Sequence, residues 1–104
     1  MVVFSVLYPS SDGARFDAAY YDNSHIPLVK SAFASTGLKT VQVMRGVSAG
    51  GGGPAPYILM AHLTFESADA LKASLTGPRA PEVFADIAKF TDVQPVTQVS
   101  QPVA

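Results

Sequence analysis

Pro27 stands inside the longest helical pattern of the chain, Phe16 to Lys30, and constrains how the first half can fold. A proline has no backbone donor, and its ring clashes with the carbonyl four residues earlier, here that of Asn23. It is accommodated in the first turn of a new helical piece. The apolar pattern points the same way. Phe16, Ala19 and Tyr20 share one helical face, as do Ile26, Val29, Phe33 and Thr36, but an unbroken helix would leave those faces roughly a third of a turn apart. The helix is therefore predicted to be interrupted near Asn23 to His25, where Tyr20, Tyr21, Asp22 and His25 gather.

Around this break the chain reads as a series of short elements. Val2 to Tyr8 is apolar on both sides, as a central strand would be, and Pro9-Ser10-Ser11-Asp12-Gly13 closes it. Asp17 is placed to cap the helix and Gly37 to stop it. Leu38 to Val47 reads as a second strand, followed by a glycine-rich hairpin connection, Ser48 to Pro56. Its four consecutive glycines do not make a phosphate loop, because no Lys-Ser or Lys-Thr follows and the next element is a strand. That third strand, Tyr57 to Phe65, puts Tyr57, Leu59, Ala61, Leu63 and Phe65 on one face and Ile58, Met60, His62 and Thr64 on the other. Ser67 caps a helix to about Leu75, Thr76-Gly77-Pro78-Arg79 interrupts it, and Pro81 starts another helical piece with Val83, Phe84 and Ile87 facing inward. Val93 to Gln101 closes the chain as a strand, on an edge given Pro95.

Strand, helix, strand, strand, helix, strand is the ferredoxin-like βαββαβ order of the α+β class. It predicts a four-stranded antiparallel sheet with helices on one face. The right-handed crossover is expected to set strands one and three side by side and parallel. The bare opposite face carries apolar side chains that need cover, which two sheets packed face to face as a homodimer would give. Residues 1–104 fit one domain.

With 48% hydrophobic residues, the chain has more apolar material than a small monomer needs. A net charge of -1, with seven basic residues and no basic run, speaks against a nucleic-acid partner. Without cysteine there can be neither disulfides nor thiolate metal sites. No apolar run is long enough for a membrane span and no leader pattern opens the sequence, so a soluble, cytoplasmic protein is expected.

His25 is the sharpest chemical candidate. A neutral imidazole can serve as general base near neutral pH, with Asp22 orienting its other nitrogen and Tyr20 or Tyr21 donating to a carbonyl or enolate. Alternatively, His25, Asp22 and Ser24 only satisfy backbone groups at the break. His62 is read as an interface or structural residue rather than a partner of His25, and Arg45 as paired with a carboxylate across subunits rather than with an anionic ligand. Asp22 and His25 have a spacing that suits two metal ligands, but a third would have to come from His62, so no metal is expected. The aromatic residues Phe4, Tyr8, Phe16, Tyr20, Phe33, Phe65, Phe84 and Phe90 read first as core, and could also wall a cavity for a flat aromatic molecule.

The pattern Phe16-Asp17-x-x-Tyr20-Tyr21-x-x-x-His25-x-Pro27-Leu28-Val29 follows Val6-Leu7-Tyr8-Pro9 and precedes Phe90-Thr91-Asp92-x-x-Pro95-Val96. In that order it resembles the EthD family across nearly the whole chain. The resemblance implies a dimeric α+β barrel, in a group named after a member encoded beside enzymes of ether degradation and linked to oxidoreductase pathways. Relatives in the wider group act on aromatic and polyketide-like compounds without tightly bound cofactors. Some bind haem, but neither histidine here lies in a haem signature. The expected function is thus a small cofactor-independent enzyme or accessory protein holding an apolar aromatic or carbonyl compound at the helix break. A non-catalytic carrier or a structural dimer is the alternative.

Overall fold

The computed structural model describes residues 1–103, so Ala104, the last residue of the expected domain, lies outside the described residues. Four strands, β1 (Val2–Pro9), β2 (Leu38–Arg45), β3 (Tyr57–Phe65) and β4 (Val96–Ser100), form one sheet in the order β2-β3-β1-β4. Every neighbouring pair is antiparallel. The expected parallel pairing of strands one and three is therefore wrong. The hairpin Gly46 to Pro56 turns β3 back against β2, and the right-handed crossover makes β1 parallel to β2 rather than to the strand inserted between them. The α+β, ferredoxin-like arrangement itself stands.

The strand ends are tighter than the sequence pattern suggests. β2 stops at Arg45 because Gly46 passes so close to the β3 backbone that a Cβ there would lie 2.1 Å from the Tyr57 carbonyl oxygen. β4 starts at Val96 because the preceding residues are held elsewhere. Thr91 bridges to Phe16, the Val93 N–H donates to Thr91 Oγ1, and Pro95 has no donor.

The interrupted helix takes a specific form. Helix α1 (Ala18–Tyr20) leads into a π-helical turn, Tyr21–His25, then into α2 (Ile26–Phe33) and a short 3₁₀ turn, Ala34–Thr36. The Ile26 N–H reaches back five residues to the Tyr21 carbonyl, and Pro27, which has no N–H to give, falls in the first turn of α2. Phe16 precedes the helix, Ala19 is exposed and Tyr20 half-buried, so that stripe is not the inner face. The buried face runs Tyr21, His25, Val29, Phe33. Residues four apart on a regular α-helix drift by about 40° per step, and the wider turn from Tyr21 to His25 rotates the other way and offsets the drift from His25 to Phe33. Asp17 accepts the Tyr20 N–H at 3.0 Å as the cap, and Gly37, with φ of +100°, ends the segment.

Helices α3 (Ala68–Leu75) and α4 (Ala80–Phe90) complete the helical layer. Ser67 caps α3 by accepting the Ala70 N–H. Val29, Ala32, Phe33, Leu71 and Val83 pack on the sheet residues Val2, Phe4, Ala61, Leu63 and Phe65, while Tyr8, Tyr21, Leu59 and Phe90 form a second, aromatic cluster. On α4, Val83 is buried as expected but Phe84 is 43% exposed. The inward stripe is Val83, Asp86, Ile87, Phe90, which leaves Phe84 one position off it. No described helix is long and apolar enough to cross a membrane.

Candidate functional site

The π-helical turn brings His25 into the protein, where it is 4% exposed, and aims it at α4. Its Nδ1 lies 2.8 Å from Asp86 Oδ2, and the Tyr20 hydroxyl donates to Asp86 Oδ1 at 2.6 Å. Asp86 is itself 6% exposed. Both carboxylate oxygens are thus engaged, with Lys89 Nζ 3.8 Å away at the helix surface. The imidazole packs against Tyr21, whose ring stacks at 5.4 Å, and Phe90, at 4.6 Å, and those two rings also meet each other at 5.1 Å. The three rings form one compact cluster.

The position of Asp86 depends on the C-terminal end of α4. The Arg15 guanidinium donates to the Ala88 and Lys89 carbonyls, while Thr91 Oγ1 donates to the Arg15 carbonyl. The Asp17 N–H is bound to the Phe90 carbonyl at 2.7 Å. The chain entering α1 is therefore laced to the end of α4, and the histidine and its carboxylate are held by one framework.

Charge and burial set the protonation states. Burial pushes the His25 pKa below its ordinary value of 6.5, and the hydrogen bond and charge of Asp86 only partly oppose this. Burial also acts to raise the Asp86 pKa, but hydrogen bonds from Tyr20 and His25, with the positive charges nearby, more than offset it and hold the carboxyl below 3.8. Asp86 raises the Tyr20 pKa through their hydrogen bond, with burial and its charge adding to the effect. At neutral pH the arrangement is neutral imidazole, carboxylate and phenol. A proton on Nδ1, donated to the carboxylate, leaves Nε2 with its lone pair free.

These directions predict how stability depends on pH. The folded protein binds a proton at His25 less readily than the unfolded chain, so stability is constant above about 6.5 and falls as pH drops through the folded-state value. Asp86 acts with the same sign lower down, since its contribution is present above 3.8 and lost as pH falls through its depressed value. Urea unfolding followed from pH 8 to 3 should show two successive losses, with the first absent in His25→Gln. A stability that rises between pH 7 and 5 would contradict the assignment.

His25 lines a half-open cavity of about 580 Å³ between the sheet and helices α2 and α4. Phe4, Val6, Val29, Phe33, Leu63 and Ile87 supply apolar walls, and Phe84, Gln94 and Thr97 form an exposed rim. Among the described residues that line it there is no lysine or arginine. The lining is mainly apolar, and the charged side chain that it does carry, Asp92, disfavours an anion there.

The sequence candidates separate. His25 stacks on Tyr21, and Tyr20 reaches the same carboxylate as His25. Asp22 does not orient the histidine: it is exposed and bound by Arg45 Nη2 at 3.2 Å, so Arg45 pairs within its own chain. In the π-helical turn His25 turns inward to meet α4, while Asp22 is left on the outer side. His62 lies on the opposite face of the sheet, its Nδ1 2.8 Å from Ser5 Oγ, and cannot join His25. Among the described residues no three histidine, cysteine, aspartate or glutamate side chains cluster as metal ligands. Asp86 was missed by the sequence reading. It is the one carboxylate on the otherwise apolar stripe Val83, Ile87, Phe90, and that pattern was the available signal.

An antiparallel four-stranded sheet with helices on one face and a buried histidine–aspartate pair beside an apolar cavity defines a ferredoxin-like α+β protein with a candidate acid/base site. A family model, the EthD domain, matches residues 12–94. The chain belongs to the EthD family. It is similar to the solved structure of an EthD-like protein from Ralstonia eutropha JMP134, with 33% identity over 99% of this chain and 92% of that one and a TM-score of 0.90. An ethyl tert-butyl ether D (EthD) family protein from Bacillus halodurans C-125 shares 20% identity over 99% of each chain, with a TM-score of 0.80. SnoaB from Streptomyces nogalater, a cofactor-independent oxygenase, shares the fold with 12% identity over 99% of this chain and 93% of its own, with a TM-score of 0.72. No curated protein sequence matches the chain.

Proposed function

We propose that the protein is a cofactor-independent enzyme that removes a proton next to the carbonyl of a neutral, apolar aromatic compound. One observation carries this reading: an imidazole fixed by a buried carboxylate lines an apolar cavity of about 580 Å³. His25 is the base and Asp86 the residue that positions it. The substrate C–H proton passes to Nε2, the C–H electron pair becomes the enolate, and the imidazolium formed is stabilised by Asp86 on its other side. Tyr20 holds Asp86 and is a positioning residue, not the substrate donor. The cofactor-independent chemistry of SnoaB, on the same fold, fits this class of reaction.

The test uses 2-tetralone, a bicyclic aryl ketone with an acidic C–H, incubated in D2O and followed by proton NMR. The protein should accelerate exchange at that carbon by about 10²-fold or more over an equal concentration of free imidazole. Saturable binding with no acceleration would leave a carrier in place of the enzyme.

We further propose, from the family resemblance, a place in oxidoreductase-linked degradation and, from the uncovered sheet face, a homodimer. The free sheet face carries Leu7, Met60, Met44 and Val96 beside Ser5, His62 and Gln98, with no charged side chain at these positions. Light scattering coupled to size exclusion should give twice the chain mass, and Met60→Glu, which puts a charge in that face, should shift it toward monomer. A wild-type monomer at all concentrations would remove the dimer.

A further inference from the structure

Tyr8 and Tyr21 are among the most enclosed side chains of the molecule, 1% and 0% exposed. The hydrogen bonds among the described residues satisfy Tyr20 through Asp86, but none engages the hydroxyl of Tyr8 or of Tyr21. Among the described residues no fully enclosed side-chain nitrogen or oxygen is left without a partner, so these two hydroxyls retain access to the cavity that both residues line. A phenol hydroxyl that faces the cavity without a partner in the protein is free to donate to whatever occupies that space. Tyr8 and Tyr21 place two such donors on one wall.

Their surroundings define that acceptor. The two rings meet edge to face with centroids 6.1 Å apart, and Tyr21 stacks on His25. Burial raises both phenol pKa values, and in Tyr21 the proximity of Tyr8 and Asp22 adds to it. Both therefore stay protonated and can donate. Among the described residues that line the cavity there is no lysine or arginine to meet a carboxylate or phosphate, while Asp86 lies directly behind His25. That field disfavours a ligand that arrives as an anion and suits one that develops negative charge only after giving its proton to His25.

We infer that the hydroxyls of Tyr8 and Tyr21 form a two-donor cradle for the carbonyl oxygen of a neutral ketone, facing the base at His25. The inference rests on the proton-transfer reading and deepens it. When the C–H proton moves to His25, the electron pair shifts through the C–C bond to the carbonyl oxygen, where the two phenols stabilise the enolate. On return a solvent-derived proton on His25 restores the ketone. Tyr8, an aromatic that the sequence pattern assigns to the core of a strand, thereby becomes a substrate-contacting residue.

Tyr8→Phe and Tyr21→Phe test this, because each removes one oxygen and leaves the packing. Infrared spectra of carbonyl-¹³C 2-tetralone bound to the wild type should show the stretch moved to lower frequency, with a smaller movement in each variant. Deuterium exchange should slow by about 10- to 100-fold in each. The thermal midpoint should stay level, since neither hydroxyl has a hydrogen-bond partner within the protein to lose. A bound ketone with an unshifted carbonyl, an absence of saturable binding, or a fall in thermal midpoint in both variants overturns the cradle. A shifted carbonyl without exchange keeps the cradle and removes the base, whereas exchange without a shift does the reverse.

Discussion

His25→Gln is expected to cut the deuterium exchange of 2-tetralone by about 10²- to 10⁴-fold, the usual contribution of a positioned general base. Glutamine matches the imidazole roughly in length and can still donate to Asp86, but it has no lone pair basic enough to accept a carbon-bound proton. The variant should remain folded. What it loses is the ring contacts with Tyr21 and Phe90, and aromatic pairs of this kind contribute about 0.5–1.5 kcal/mol each. Circular dichroism and a urea melt would establish that loss separately from the rate. His25→Ala gives an independent check, because it opens an imidazole-sized hole lined by the same two rings. Added imidazole should restore part of the exchange in His25→Ala and none in His25→Gln, where the hole is filled. Exchange that survives undiminished in His25→Gln would mean that the histidine only supports the helix break, and the enzyme reading would end there.

The fold was legible because its signals are local and repeat. Asp17, Gly37 and Ser67 act as caps or stops where capping chemistry puts them, and the alternation along β3 assigns each residue from Leu59 to Phe65 to the face it occupies. The break before Pro27 was also legible, since a missing donor and a steric clash are properties of one residue type. Its form was not. Whether the chain loses a turn, kinks or widens into a π-helical turn depends on which side chains the tertiary structure holds inside, and Tyr21 and His25 are held there by Phe90 on a distant helix.

The same limit explains the errors at the site. Asp22 is near His25 in sequence and was assigned to it, while Asp86 is 61 residues away and reaches it through space. A one-dimensional pattern ranks partners by spacing, yet the turn that carries His25 inward leaves Asp22 on the surface with Arg45. The parallel pairing expected for β1 and β3 failed for a related reason. The crossover rule relates β1 to β2, and only the hairpin fixes the direction of the strand between them. Asp86 could have been suspected from its own helix, where a carboxylate interrupts an apolar stripe that a leucine would fill at lower desolvation cost.

Asp86→Asn is the change that separates a positioned base from an isolated one. The carboxylate accepts from both His25 and Tyr20, whereas an amide has one accepting and one donating end. If its NH₂ faces His25, the imidazole must take its proton on Nε2 and the basic lone pair turns away from the cavity. If its oxygen faces His25, the tautomer survives but the negative charge that stabilises the imidazolium is gone. Either arrangement should slow exchange, by roughly 10- to 10⁴-fold across the range that general acid–base groups contribute. Losing a charge-assisted hydrogen bond should lower stability by roughly 1–3 kcal/mol at pH 7. The pH profile gives the sharper readout. Because the hydrogen bond and charge of Asp86 raise the His25 pKa against burial, removing them should move the acid limb of the rate profile to lower pH while the plateau falls. A purely structural carboxylate would lower stability without moving that limb. A limb that stays in place, or moves to higher pH, would mean that the base in the reaction is not the histidine that Asp86 holds.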